Sequence, residues 1–301
     1  MPSTAQDCTV FLNCSSGLSS KEGIPDLLDS ILREGGTEAR IVPCEKGMDI
    51  GAFARDAVRA GAGVVVAGGG DGTLRAVASA LVNTGVVFGV LPVGTLNHFA
   101  RDLNIPLNLE QSARNLSTGY PVPVDVGEVN GQVFINNSII GLYPTYRFLR
   151  EYVERKGWRN WLAFAWAVMT VMKRYPFLTL RFHVDGKPIV RSTPYVMIAN
   201  NEHEMEGYHL GTRKRLDAGE LWIYIMRRRS RWGLLRMILG LALGQFNKDR
   251  DFEIFHASEL WIEGRQKRLG VALDGEIAIL NTPLHYRSIP SALQVIVPRA
   301  E

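Results

Sequence analysis

Residues 63–83 read GVVVAGGGDGTLRAVASALVN, and the fold turns on this stretch. Val64, Val65 and Val66 have the β-branching and run length of a buried strand. The run stops at Gly68, Gly69 and Gly70, followed by Asp71, Gly72 and Thr73. Leu74, Val77, Ala78, Leu81 and Val82 then recur at the spacing of one helix face. A strand therefore enters a glycine-rich loop that feeds a helix N-terminus. Glycine lets a backbone approach a ligand closely and adopt positive φ. The helix start offers free N–H groups and partial positive charge, which suits a phosphate. Asp71 would repel a bare phosphate, so the stretch predicts phosphate with a metal ion, or a carboxylate that handles a proton. A tight turn capped by Asp71 or Thr73 is the plainer alternative, but one cap needs one glycine at most.

The same grammar repeats on either side. Cys8 to Asn13 reads as a strand running into the polar turn Asn13-Cys14-Ser15-Ser16-Gly17. Ile24 to Arg33 reads as a helix stopped by Gly35 and Gly36. Ala39 to Val42 reads as a short strand ended by Pro43, and Ile50 to Arg59 as a helix. Val86 to Leu91 is another strand, then Pro92, Gly94 and Thr95 lead into a helix through Asn97, Phe99 and Arg101. Four β-α units predict a mostly parallel sheet with helices on its faces. Ligands of such sheets sit at the strands' carboxyl ends, where loops 13–17, 68–73 and 92–97 all fall.

Near Pro121 the pattern becomes antiparallel. Val122 to Val129, Asn130-Gly131 and Gln132 to Ser138 read as a hairpin. Phe177 to Val184, Asp185-Gly186 and Lys187 onward repeat it. Leu221 to Met226, Phe252 to Ile262 and Val271 to Leu280 are further strand candidates. Two helical inserts interrupt them. The first, about 145–174, contains WLAFAWAVMTVM, 12 uncharged residues and too short to span a bilayer. The second, Arg231 to Phe246, follows Arg227, Arg228 and Arg229 and reads as a basic membrane-contact surface or an ordinary core helix.

Bulk properties narrow the function. The chain has 301 residues, 46% hydrophobic and 21% charged, which fits one large or two ordinary domains. Three sparse cysteines argue for a reducing compartment, and no Cys/His cluster suggests zinc. The start, MPSTAQDCTVFLN, shows no signal-peptide pattern. Residues 1–125 hold 9 Lys/Arg against 13 Asp/Glu, net −4; residues 126–301 hold 25 against 17, net +8. A basic second part beside a phosphate site points to anionic partners. The P-loop, protein-kinase, GxGxxG and GxSxG signatures are absent. Nucleic-acid binding is not expected, because the arginine run is short and not interleaved with aromatics.

Gly68-Gly69-Gly70-Asp71-Gly72-Thr73, then Pro92-x-Gly94-Thr95-x-Asn97-x-Phe99-Ala100-Arg101, then Asp274-Gly275-Glu276, resemble the diacylglycerol kinase catalytic-domain family, and most closely its bacterial soluble lipid kinases. The resemblance covers nearly the whole chain in order. It implies an α/β nucleotide-binding domain over 1–123 and a β-sandwich lipid-binding domain over 124–286, with 287–301 returning to the first. It implies ATP and Mg²⁺. Asn13, Ser16 and Gly17 match the first nucleotide loop, with Cys14 replacing a proline. Gly68, Gly69, Gly70, Gly72 and Thr73 would cradle phosphates. Gly94, Thr95 and Asn97 would hold the nucleotide, with Asp274 and Gly275 beside them. Glu276 matches the general base toward a lipid hydroxyl. Asp71 matches a carboxylate that organises Mg²⁺ or acts as base. Asp217 and Glu220 lie in a segment resembling a structural-magnesium site, where Ala218 replaces an Asp. His98 stands where many members have Asp.

The expectation is an ATP-dependent lipid kinase acting on a diacylglycerol-like or sphingoid lipid at an anionic membrane surface. It is expected in the cytoplasm, peripherally membrane-associated, without a transmembrane segment; a homodimer is compatible with this. An NAD kinase-like enzyme and a catalytically silent nucleotide-binding regulator are the alternatives.

Overall fold

A computed structural model describes residues 8–14, 23–141, 177–184, 187–206, 209–213, 215–227 and 251–299. Ser16, Gly17, Asp185, Gly186, both helical inserts and Arg228 to Arg231 lie outside the described residues.

The first half is a doubly wound α/β layer. Its strands are β1 (Cys8–Asn13), β2 (Ala39–Cys44), β3 (Val64–Gly69) and β4 (Val87–Pro92). They run parallel in the order β2-β1-β3-β4, so the order reverses between β1 and β3. That reversal places the carboxyl ends of β1 and β3 beside the crevice where such sheets bind ligands. Helices α1 (Ile24–Glu34) and α5 (Leu109–Thr118) bury Leu28, Ile31, Leu32 and Ala113 on one face. Helices α2 (Ile50–Arg59) and α3 (Asp71–Leu81) bury Ala54, Leu74, Val77 and Leu81 on the other. A short α4 (His98–Asp102) follows β4. Helix α5 has a plain start signal, an Asn108 side chain accepting the Gln111 N–H, that the sequence reading passed over. Pro43 sits inside β2 rather than ending it. Its missing N–H is tolerated because β2 is the sheet's edge.

The second half is a β-sandwich. Strands β5 (Tyr120–Val129) and β6 (Gln132–Phe134) form the expected hairpin, with Asn130 and Gly131 at φ 47° and 80°. The strand does not continue to Ser138. It breaks at Ile135 and Asn136, and β7 (Asn137–Gly141) joins a different sheet. The remaining strands are β8 (Leu178–Val184), β9 (Lys187–Thr193), β10 (Tyr195–Asn200), β11 (His203–Glu206), β12 (His209–Arg213), β13 (Leu221–Met226), β14 (Phe252–Ala257), β15 (Glu259–Gly264), β16 (Arg268–Leu273), β17 (Glu276–Asn281) and β18 (Leu284–Val297). The stretch Phe252 to Ile262 is likewise two strands, β14 and β15, which part at Ser258 into opposite sheets. The stretch Val271 to Leu280 is the hairpin β16–β17, turned at Asp274 and Gly275 with φ 46° and 88°.

Among the described residues one sheet runs β2-β1-β3-β4-β18-β15-β8-β9, with β5 pairing β18 and β6; a second runs β14-β13-β10-β7-β16-β17, and β11 and β12 pair separately as a two-stranded ribbon. Leu180, Phe182, Leu260 and Tyr286 of the first face Ile198, Ile223 and Val271 of the second. The larger sheet is continuous across both halves. Strand β18 pairs with β15 at Leu284 to Arg287 and with β4 at Gln294 and Val295. It pairs with β5 along most of its 14 residues, broken by an irregularity between Ile289 and Leu293. At that break Ser291 has φ 50°, and its N–H donates to the buried Asp125 carboxylate at 2.8 Å. The apolar clusters divide there too. Val126 and Leu293 pack with the helices, whereas Val129 and Tyr286 pack inside the sandwich. No described helix is long and apolar enough to cross a membrane.

Candidate active site

The β3–α3 and β4–α4 loops meet backbone to backbone. A Cβ built on Gly94 would lie 2.4 Å from Gly70 Cα, closer than real atoms approach. A Cβ on Gly69 would strike the Thr73 side chain at 2.5 Å. Glycines 68, 69, 70, 72 and 94 are absent from the positive-φ residues, and Gly70 has φ −87°. These glycines are therefore required by close approach, not by left-handed backbone. The residue that takes positive φ here is Asn97, at 51°.

Asp71 opens α3 and also satisfies the start of α4. Its Oδ2 accepts the His98 N–H at 3.3 Å and its Oδ1 the Phe99 N–H at 3.2 Å. A helix start leaves such N–H groups without partners, so one carboxylate braces the two loops together. His98, which replaces a family Asp, contributes its backbone to this brace. Asn97 is 5% exposed and turns inward. Its amide donates to the Pro92 and Gly94 carbonyls at 3.2 and 2.9 Å, and its Oδ1 accepts the Gly94 N–H at 3.1 Å. Its side chain shapes the loop. Asn13, at the end of β1, donates to Thr73 Oγ1 at 2.9 Å. Thr95 is exposed on the loop surface.

Glu276 arrives from the second half. The β16–β17 turn delivers it onto the first turn of α3, where it pairs with Arg75. A Cβ on Gly72 would lie 2.6 Å from Glu276 Oε1. The glycine at 72 therefore makes room for this carboxylate, which is 51% exposed and next in space to the residue following Asp71. Asp274 does not project beside it. Its carboxylate accepts the N–H groups of Ile135, Asn136 and Asn137 at 2.8, 2.8 and 3.0 Å. That capture is the physical reason β6 and β7 part. Burial raises the Asp274 carboxyl from 3.8 to about 6, against the three N–H donors and Arg75, which lower it.

Four residues that carried no sequence signal tie these parts together. The Asn136 amide donates to Asp71 Oδ1 at 3.4 Å, and its Oδ1 accepts from Arg213 Nη2 at 3.1 Å. Arg213 is fully buried. It donates to Asp102 Oδ2 at 2.7 Å and to the Ile135 and Asn200 carbonyls at 2.7 and 3.1 Å. Asp102 lies on α4 and Arg213 on β12. A buried ion pair, with each guanidinium nitrogen hydrogen-bonded, thus pins α4 to the sandwich. Arg75 completes the set by holding Glu276.

Asp217 and Glu220 belong to another constellation. Their segment is anchored by Asp125, which accepts the Gly219 N–H at 2.6 Å and the Asn201 amide at 3.2 Å. Asp217 pairs with Arg215 at 3.0 Å, and Glu220 lies 3.8 Å from His256. Among the described residues no group of three or more His, Cys, Asp or Glu could hold a metal ion. A cavity of about 820 Å³ opens at the opposite, amino-terminal end of β1 and β2, lined by Phe11, Arg33, Arg40 and Phe53. It contains none of the residues above.

Residues 7–129 match the diacylglycerol kinase catalytic domain, and residues 149–297 match the YegS C-terminal NAD kinase beta sandwich-like domain. A protein of Pseudomonas savastanoi pv. phaseolicola named "Probable lipid kinase YegS-like" is 30% identical over 258 residues, 81% of this chain and 78% of that relative. The chain belongs to the diacylglycerol kinase catalytic-domain family. As a member it is an enzyme, a kinase. A Klebsiella pneumoniae relative of the same name is 37% identical over 119 residues, an alignment spanning 38% of this chain and 40% of that relative. A solved diacylglycerol kinase from Bacillus anthracis str. Sterne superposes with a TM-score of 0.71 at 19% identity, covering 97% of each chain. That likeness establishes the shared two-part fold. The family's glycine loop and its Asp-Gly-Glu turn are the two features that this fold brings into contact at Gly72 and Glu276.

Proposed function

We propose that this kinase transfers the terminal phosphate of ATP to a hydroxyl of a diacylglycerol-like or sphingoid lipid. The observation that carries the reading is the seating of Glu276, from one half, on Gly72, beside Asp71, from the other. Gly70 and Gly94 are partly exposed at the α3 N-terminus, where N–H groups and the helix dipole favour phosphate oxygens. In the transfer, the acceptor oxygen bonds to the terminal phosphorus as the bond to the leaving ADP oxygen breaks. Glu276 takes the hydroxyl proton, a contribution of about 10²–10⁴-fold. The rest of the rate comes from positioning.

Asp71 suits a magnesium ion by the chemistry of its donors. Sites of this kind use one or two carboxylates together with substrate phosphates rather than an all-protein cage. Asp71 accepts the Phe99 N–H and the Asn136 amide on Oδ1 and only the His98 N–H on Oδ2, which leaves a lone pair on Oδ2 for a cation. Bound there, Mg²⁺ would offset phosphate charge.

The names of the relatives support a lipid acceptor. The name of the second domain keeps NAD as the competing acceptor. The test incubates the full chain with labelled ATP, Mg²⁺ and a panel of diacylglycerol, monoacylglycerol, sphingoid base, ceramide and NAD. A labelled lipid is the expected product. Label in NAD alone would replace the reading with the NAD kinase-like one. Nucleotide binding with no labelled acceptor would leave a silent regulator.

A further inference from the structure

Among the described residues, strand β17 is the outer edge of the six-stranded sheet. Ile277 and Ile279 are 47% and 68% exposed, and both project from the face opposite the sandwich core. Register places Ile277 beside Ala272, then Ile139, Met197 and Tyr224 on successive strands. That row is buried as far as Ala272 and emerges only at the edge. Glu276 stands at one end of β17. At the other end is the β15–β16 turn, where Arg265, Gln266, Lys267 and Arg268 are all exposed. The turn is strapped to the end of β17. Thr282 donates its N–H to the Lys267 carbonyl at 3.0 Å and its hydroxyl to the Gln266 carbonyl at 2.7 Å. The acid nearest in sequence, Glu263, faces Arg181 and His183 at 4.0 and 3.5 Å. The turn's three positive charges therefore have no acid within the turn itself.

We propose that the β17 edge and the Arg265–Arg268 turn form the surface by which this chain docks on an anionic lipid bilayer. The proposal rests on the lipid-kinase reading and adds where the enzyme meets its acceptor's membrane. Exposed isoleucines on a strand with no outer partner among the described residues are a liability unless something covers them. Three cations beside them select a partner that is apolar within and negative at its surface, as an anionic bilayer is. The geometry is continuous with the site. Six strand residues at about 3.3 Å each separate the basic turn from Glu276 by roughly 17–20 Å. With the turn among headgroup phosphates and the isoleucines in the interface, β17 leads from the membrane surface to the site, where Glu276 opens the strand.

The test is co-sedimentation of the full chain with vesicles of phosphatidylcholine alone and of phosphatidylcholine mixed with phosphatidylglycerol. Wild type is expected to pellet with the mixed vesicles and to release as salt rises. The combined variant Arg265→Gln, Lys267→Gln, Arg268→Gln should lose on the order of 10²-fold in partitioning, from about fivefold per charge. The charge-matched variant Arg33→Gln, Arg40→Gln, Arg59→Gln, at the far end of the first sheet, should bind as wild type. Ile279→Ser should weaken binding several-fold even in high salt, and it serves if the triple variant misfolds. Wild type that stays in the supernatant overturns the proposal, as do equal losses from both triple variants. Sedimentation needs no turnover, so a failure to dock and a failure to phosphorylate lipid are read separately.

Discussion

The two carboxylates of the site are held in opposite ways. Asp71 is committed to the framework. It accepts the His98 and Phe99 N–H groups and the Asn136 amide, and through Asn136 it joins the buried Arg213–Asp102 pair. Glu276 is half exposed, with Arg75 as its ion-pair partner. The contrast separates two tasks that one sequence motif could not. The first half contributes a stiff floor, and the second delivers the proposed base to its rim. Substitutions on the floor should therefore show in stability, and those on the rim in rate.

Arg213→Ala should have the largest effect, because it leaves Asp102 charged and buried without its partner. A loss of about 3–5 kcal/mol is expected in denaturant unfolding. A loss below ~1 kcal/mol would mean that the floor is not braced as described. Glu276→Gln should reverse the pattern. Turnover should fall by about 100-fold or more, equivalent to about 2.7 kcal/mol in the barrier. Stability should stay within about 0.5 kcal/mol, as for exposed positions. Retained turnover would remove Glu276 from the chemistry and erase the contrast. Asp274 supplies the smallest and most specific test. Its carboxyl is raised to about 6, so the native state keeps a proton that the unfolded chain releases near 3.8. Wild type therefore loses stability as pH rises through that window, by about 1–3 kcal/mol. Asp274→Asn cannot titrate. The melting-temperature gap between the two should be widest near pH 4 and narrow toward pH 7; a constant gap would refute the assignment.

Much of the floor was legible in the sequence, because each β-α unit is a local pattern with local stop signals. Cys8–Asn13 and Ile50–Arg59 were bounded by their own residues, and Asn130-Gly131 set its turn by backbone preference alone. What escaped depends on partners far along the chain. Gln132 to Ser138 reads as one strand until Asp274, more than 130 residues later, captures three of its N–H groups. Phe252 to Ile262 has unbroken strand character, and only the two facing sheets divide it. Asn136, Arg213 and Asp102 carry no motif, since an asparagine or an ion pair becomes informative only when burial is known. The glycines were legible as a special strand-to-helix loop for a partly mistaken reason. They allow contact between Gly70 and Gly94, whereas positive φ falls to Asn97.

The long strand Leu284–Val297 has one more consequence. It and its partner Tyr120–Val129 run from the helix-covered layer into the sandwich, their pairing interrupted only between Ile289 and Leu293, where Asp125 grips Ser291. The two lobes thus share a spine and are not joined by a hinge of loose linker. Clamshell motion about such a spine would shear paired strands. Closure of the two halves on one another would then have to be taken up at the interruption between Ile289 and Leu293, or be left to side chains and loop tips.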